Sequence, residues 1–205
     1  MIRTKDIPNL LTGARIVFAM AVFLGLAAAA GALPGQSGPP APSAARAVVL
    51  WSLCAFVIGA LTDYFDGWLA RRWNAMSPWG AMLDPIADKI AVCGAVLGLA
   101  ALDPRPPTVV AGGLILFREF FVSGLREVGG ARGLKFPVTR LAKWKTTVQL
   151  VALSLELLVA ALDDTGALRL AADALLWLAA AITFWTGWEY TQVARKALSA
   201  TPPPK

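Results

Sequence analysis

Asp63-Tyr-Phe-Asp66-Gly67-Trp-Leu-Ala70-Arg71 and, after eight intervening residues, Gly80-Ala-Met-Leu-Asp84-Pro-Ile-Ala-Asp88 place four carboxylates inside two otherwise apolar, helix-length segments. Ionisable side chains at membrane depth are costly, and where they persist they line ligand or ion sites. These segments therefore decide both the fold and the place where function resides. On helices, Asp63 and Asp66 lie about 60° apart and Asp84 and Asp88 about 40° apart, so each pair shares a face. Two such faces meeting concentrate negative charge, and one pair at roughly 4 Å already repels by about 4 kcal/mol at an effective dielectric of about 20. Either Arg71, Arg72 and Lys89 compensate as intramembrane ion pairs, or hard cations do. Oxygen-only ligands suit Mg²⁺, Mn²⁺ or Ca²⁺, and four carboxylates permit a two-metal arrangement. Gly67 beside Asp66 and Gly80 before Asp84 favour the second choice, because they clear side chains from the carboxylates and let a ligand approach the backbone. Gly94 and Gly98 read instead as helix-packing positions.

The rest of the chain supplies the membrane setting. Hydrophobic residues make up 57% of the 205 positions and charged residues only 16%, with a mean hydropathy of +0.61, which excludes an ordinary soluble domain. Apolar runs near 11–33, 45–69, 80–102, 107–125, 144–162 and 168–190 predict six transmembrane helices, each of about 20 residues. The fold class is therefore all-α integral membrane, with one membrane domain over 1–198, a proline- and glycine-rich loop at 34–43 and a disordered tail at 199–205. The first run follows Arg3 and Lys5 as a secretory signal would. Its length and the spans behind it make it a membrane helix. Histidine is absent, so aspartate, arginine and lysine must carry any chemistry. Cys54 and Cys93 sit within apolar runs and read as buried, reduced thiols. The eight tryptophans read mostly as interfacial anchors.

Orientation follows from the basic residues. Of 19, fourteen fall on one side: Arg3, Lys5 and Arg15, Arg71 and Arg72, the six from Arg126 to Lys145, and Arg195, Lys196 and Lys205. Arg46, Arg105 and Arg169 fall on the other, and Lys89 and Arg118 lie within spans. The positive-inside rule then places both termini in the cytoplasm. All four aspartates and Arg118 come to similar depth at the cytoplasmic ends of their helices, where one polar cavity would collect them.

Asp63-x-x-Asp66-Gly67-x-x-Ala70-Arg71 followed by Gly80-x-x-x-Asp84-x-x-x-Asp88 is identified as the signature of the CDP-alcohol phosphatidyltransferase family, matched without departure. Ile7-Pro-Asn-Leu-Leu-Thr12, Arg118-Glu119 with Leu125-Arg126-Glu127, and Lys143-Trp-Lys-Thr-Thr-Val-Gln149 resemble its bacterial branch whose acceptor is sn-glycerol 3-phosphate. The resemblance implies the family's membrane fold and two divalent cations, Mg²⁺ or Mn²⁺, held by Asp63, Asp66, Asp84 and Asp88. It implies that a hydroxyl attacks the phosphorus attached to diacylglycerol in CDP-diacylglycerol, that CMP departs, and that Asp88 is the catalytic base. Gly67, Arg71, Ser77 and Gly80, with Asn9 and Thr12, are implied contacts for the CDP group. Asn9 and Thr12 read equally as caps of the first helix. The resemblance further implies a homodimer in a bacterial cytoplasmic membrane, its active site facing the cytoplasm, with membrane lipids and no nucleic acid as partners.

Charge suggests where the acceptor binds. Arg118 and Arg126 differ by about 80° around one helix and can border a single cleft, with Lys143 and Lys145 opening the next helix. Together they fit an anion such as a phosphate near −2. Topology alone accounts for Arg126, Lys143 and Lys145, but Arg118 lies too deep for that explanation. Glu119 neutralises either Arg118 or Arg126. The alternatives left open are another acceptor within the family (phosphatidylglycerol, inositol phosphate or serine), an ion transporter with intramembrane aspartates, and a noncatalytic scaffold.

Overall fold

The computed structural model describes residues 7–72, 78–133 and 140–200, with side chains undescribed at 7–9, 11, 63–72, 78–81, 140–143, 198 and 200. Six helices follow one another: α1 (Ile7–Ala29), α2 (Pro42–Arg72), α3 (Pro78–Leu102), α4, α5 (Arg140–Leu162) and α6 (Ala167–Ala200). The fourth opens with a π-helical turn, Pro107–Ala111, and continues over Gly112–Ala131. Among the described residues helix is the sole regular secondary structure, and all six helices are long and apolar enough to cross a bilayer. This is a multi-pass membrane protein.

Local chemistry sets the helix ends. Proline opens α2 and α3, where its missing N–H costs nothing. Residue 33 was the expected end of the first span, yet α1 stops at Ala29. Gly31 adopts a left-handed φ of 72°, and the Ala32 N–H turns back to the Ala27 carbonyl at 2.9 Å, which closes the helix as glycine caps do. The last helix runs to Ala200, past position 190 and past the expected domain boundary at 198. Its final turns hold Arg195, Lys196 and Ala197, which favour helix without needing an apolar surround.

α1 packs on α2 and α3, α5 on α2 and α6, and α4 on α6. Small residues let these backbones approach. A Cβ at Gly94 would stand 3.1 Å from the Ala19 carbonyl oxygen, and one at Gly98 would lie 2.7 Å from Leu26 Cβ, so α1 and α3 meet along the stripe expected from those two glycines. Leu26, Leu99, Ile115, Leu153, Leu157 and Leu176 form the centre of the packed interior. Other large apolar side chains point outward, among them Phe117, Phe120, Phe121 and Trp185, as they do where the surround is hydrocarbon. Cys54 is exposed rather than buried, and Cys93 is half-buried. An apolar run in a membrane helix has two dry faces, so it does not by itself mark burial.

One end of the bundle is closed by ion pairs. Arg105 donates to Asp173 at 2.7 and 2.9 Å, to Asp103 at 2.7 Å and to Glu156 at 3.1 Å, while Arg169 donates to Asp103 at 2.7 Å and to the Asp164 carbonyl at 2.6 Å. Thr108 fastens the adjoining corner, accepting the Arg105 N–H at 3.0 Å and donating to the Asp103 carbonyl at 2.6 Å. Arg46 pairs with Asp163 at 2.7 Å. Thus Arg46, Arg105 and Arg169, grouped by sequence on one side, share this end. Burial opposes charge on Asp103, but hydrogen bonds from Arg105 and Arg169 outweigh it and hold the carboxyl below its ordinary value of 3.8.

Glu156 is only 1% exposed. Arg105→Leu leaves that carboxylate buried without its cation and is expected to cost on the order of 3 kcal/mol, read as a fall in the thermal midpoint of the purified protein. Asp103 titrates at a lower pH folded than unfolded, so its stabilisation is complete above 3.8 and fades as the pH falls through its folded value. The Arg105→Leu deficit should therefore be largest near neutrality and shrink in acid.

Candidate active site

At the opposite end, α3 carries Asp84 and Asp88 on one face, with Pro85 between them lining a cavity. The first helix supplies their partner. Arg15, whose side chain is 3% exposed, places Nη2 3.5 Å from Asp84 Oδ1 and Nη1 3.5 Å from Asp88 Oδ1; Nη2 also reaches the Asp84 carbonyl at 3.4 Å. One turn earlier Thr12, 2% exposed, donates to Asp84 Oδ1 at 2.8 Å. That hydroxyl lies well inside α1 and does not cap it. The two carboxylates remain 54% and 49% exposed.

Of the anticipated ion-pair partners, Lys89 pairs with no described residue. The side chains of Arg71 and Arg72 lie outside the described residues, as do those of Asn9, Asp63, Asp66, Gly67, Gly80 and Lys143, and Ser77 is outside altogether. The described part of the site fits a hard cation on its own chemistry. Oδ2 of Asp84 and of Asp88 accepts no hydrogen bond from any described residue, and the Arg15 contacts are long. Oxygen ligands therefore stay available in the type such ions prefer.

Beside Asp88 a cavity of about 140 Å³ opens between α3, α4 and α5, and Asp88, Lys89, Arg118, Glu119, Arg126 and Lys145 contribute its charge. Asp88, Arg118, Arg126 and Lys145 thus border one space. Glu119 resolves the choice that sequence left open, because Oε1 accepts from Arg118 Nη1 at 3.3 Å, from Lys145 Nζ and from Gln149 Nε2 at 3.5 Å. Arg126 instead lies 5.3 Å over the Tyr190 ring, a cation–π distance. Behind Arg118, Nη2 donates to Thr186 at 3.2 Å. Gly187 is what admits its stem, since a Cβ there would come within 2.8 Å of Arg118 Cγ. Gln149 donates to Thr183 at 2.7 Å, completing a buried polar chain across α4, α5 and α6.

Sequence reasoning missed several of these residues. It counted Arg15 with the amino-terminal charge that sets orientation, although its place one turn after Thr12 within an apolar run signalled the same face of α1. Gln149 was quoted but given no role. Nothing in the pattern distinguished Thr183, Thr186 or Gly187, whose parts depend on how α6 meets α4.

Asp84 and Asp88 on one face, with a basic cavity beside them in an all-helical membrane fold, mark the candidate site. The profile of the CDP-alcohol phosphatidyltransferase family matches residues 5–185, and the chain belongs to that family. Three bacterial relatives narrow the comparison. One from Cereibacter sphaeroides is 41% identical over 72% of this chain and 81% of its own length. One from Rickettsia felis is 35% identical over 94% and 97%, and one from Bacillus subtilis is 36% identical over 71% and 74%. Each of the three is named CDP-diacylglycerol–glycerol-3-phosphate 3-phosphatidyltransferase.

Arg118 and Lys145 are 9% and 7% exposed at their side chains and share one carboxylate. Glu119→Gln leaves two buried cations without an anion, a change expected to cost about 3–5 kcal/mol. Lys145→Met in the same chain should recover part of that loss. Thermal midpoints of the two single variants and the double variant give the coupling.

Proposed function

We infer that the chain transfers a phosphatidyl group from CDP-diacylglycerol to sn-glycerol 3-phosphate, releasing CMP and giving phosphatidylglycerophosphate. Membership of the family supports the reaction class, and the names of the relatives support this acceptor. The single observation within the molecule that carries the reading is the charge of the cavity. Among the described residues around it, four cations (Lys89, Arg118, Arg126 and Lys145) face two carboxylates, Asp88 and Glu119. The excess of two positive charges matches a phosphate monoester, whose charge is about −1.5 to −2 at neutral pH. At about 140 Å³ the space suits a small molecule rather than a drug-sized ligand, for which pockets start at roughly 300 Å³.

The roles follow from placement. Arg118 and Arg126 hold the acceptor phosphate, Arg118 fixed by Glu119 and Thr186, Arg126 by the Tyr190 ring. Lys145 borders the same space but is committed first to Glu119, so it contributes mainly through that pair. Asp88 receives the proton of the attacking hydroxyl. That oxygen forms the new bond to the phosphorus carrying diacylglycerol, the phosphoanhydride bond to CMP breaks, and the electron pair leaves on CMP. Arg15, spanning Asp84 and Asp88 from α1, fixes their relative orientation. Asp84 and Asp88, with Asp63 and Asp66, would hold two divalent cations, Mg²⁺ or Mn²⁺. When bound, such ions offset charge on the phosphoryl oxygens and the leaving group. Arg71, Gly67, Ser77, Gly80, Asn9 and Thr12 are proposed contacts for the CDP group, and Thr12 lies against Asp84 in support of that placement. The bias of basic residues supports a cytoplasmic site and cytoplasmic termini in a bacterial inner membrane. A homodimer is the proposed assembly, in keeping with the family resemblance.

Purified protein with Mg²⁺, CDP-diacylglycerol and one acceptor at a time tests the reading. CMP release is expected with glycerol 3-phosphate. Release with serine, inositol phosphate or phosphatidylglycerol but not with glycerol 3-phosphate would overturn the acceptor assignment. Asp88→Asn should lower turnover by about 10²- to 10⁴-fold, the usual contribution of a general base, and by more if a cation is also disturbed.

A further inference from the structure

Lys89 is a cation in a membrane helix with no hydrogen bond or ion pair to any described residue, only the neighbouring charge of Asp88. It lies eleven positions after Pro78, the first residue of α3, or about 16 Å along the helix, which is deep for an interfacial lysine. The other cations around the cavity are engaged. Arg118 and Lys145 share Glu119, Arg126 lies over Tyr190, and the neighbouring Asp88 is paired with Arg15.

Lys89 also borders two different spaces. One is the polar cavity with Asp88, Arg118 and Arg126. The other is an apolar hollow of about 380 Å³ between α1, α3 and α4, lined by Met20, Ile86, Leu97 and Phe120 among others. Those four are 46%, 42%, 51% and 61% exposed, so the hollow opens outward towards hydrocarbon. A lysine stem is apolar and its head strongly hydrated, and this position gives each part the surround it needs. Charge at such depth is expensive without a close anion; Asp88 acts on Lys89 only as a neighbouring charge, and no described carboxylate forms an ion pair with it.

We propose that Lys89 is a further substrate-binding residue, whose ammonium engages a phosphate group where the polar cavity meets the lipid-facing hollow. The inference rests on the transferase reading, in which two substrates bring phosphate to this region: the acceptor monoester and the lipid-linked diphosphate. Both present the same chemistry to a lysine, a charge-assisted hydrogen bond to an anionic oxygen. The assay separates them.

Lys89→Met, Lys89→Gln and Lys89→Arg are compared with the unaltered chain in detergent, varying glycerol 3-phosphate and CDP-diacylglycerol independently. The methionine and glutamine variants are expected to raise KM about ten- to hundredfold for the substrate whose phosphate Lys89 holds, as loss of a hydrogen bond to a charged group does. Arginine should restore most of it. A rise confined to glycerol 3-phosphate identifies the acceptor phosphate, and a rise confined to CDP-diacylglycerol the diphosphate. If both KM values stay within twofold, the lysine is only snorkelling and the proposal is overturned. It is also overturned if KM rises only in step with a lowered thermal midpoint that arginine does not repair. Calorimetric titration of each substrate into the same proteins keeps the two readings distinct. An unaltered chain that releases no CMP counts against the assigned reaction, and Lys89 is then judged on substrate affinity alone.

Discussion

A charge withdrawn from water into a bilayer must be matched by another charge or by a ligand, and the two ends of this bundle meet that constraint in opposite ways. At one end Arg105 has three carboxylates within 3.1 Å, and Arg169 and Arg46 each hold one at 2.7 Å. At the other end Arg15 stands 3.5 Å from each of its aspartates, and cations outnumber carboxylates around the cavity. At the first end the described arginines are all paired to carboxylates, and that end serves the fold. The second keeps its described charges beside an open cavity, and on the proposed reading a charged substrate enters there.

Packing delivers that cavity to a defined place. α1 and α3 run parallel, and their contact can be followed from Leu26 against Gly98, through Ala19 against Gly94, to Arg15 against Asp88. The close approach that glycine permits in the middle of the bilayer thus sets the distance at which a buried arginine meets the acidic face. On the other flank, Gly187 admits the Arg118 stem and Glu119 ties α4 to α5. The acidic and basic halves of the site therefore sit on separate helix contacts. A change in one contact can shift Asp84 and Asp88 without moving Arg118 and Lys145, and the reverse.

The spans, the shared face of Asp84 and Asp88 and the nearness of Arg118, Arg126 and Lys145 were legible in sequence because each leaves a periodic or costly signature: apolar runs of membrane length, carboxylates four residues apart, an arginine too deep to be topological. Arg15 was misread because charge counting assigns any arginine near a terminus to orientation, whereas its buried position is fixed by the pairing of α1 with α3. The partner of Glu119 was undecidable for a related reason. The sequence offered Arg118 or Arg126, both on α4; the structure gives Arg118 and adds Lys145 from α5, which only the rotation of α5 against α4 brings to Glu119. Gly187 and Thr186 are ordinary residues for a membrane helix until Arg118 lies across them. The closed end escaped notice because Asp103, Glu156 and Asp173 are widely separated in the chain and converge only through Arg105.

The charge of the cavity also bears on which alcohol the site accepts. A neutral or zwitterionic acceptor would leave the positive excess of Lys89, Arg118, Arg126 and Lys145 over Asp88 and Glu119 unmatched in a low-dielectric surround, and sites built around a buried polar group reject analogues that lack its complement far more strongly than they reject a change in size. A phosphate monoester both balances the excess and supplies several acceptor oxygens to donors held in fixed directions by Thr186, Tyr190 and Glu119. Discrimination then falls on the phosphate rather than on the carbon skeleton between it and the attacking hydroxyl. On the proposed reading, that skeleton spans from the basic residues to Asp88 across the one cavity they line.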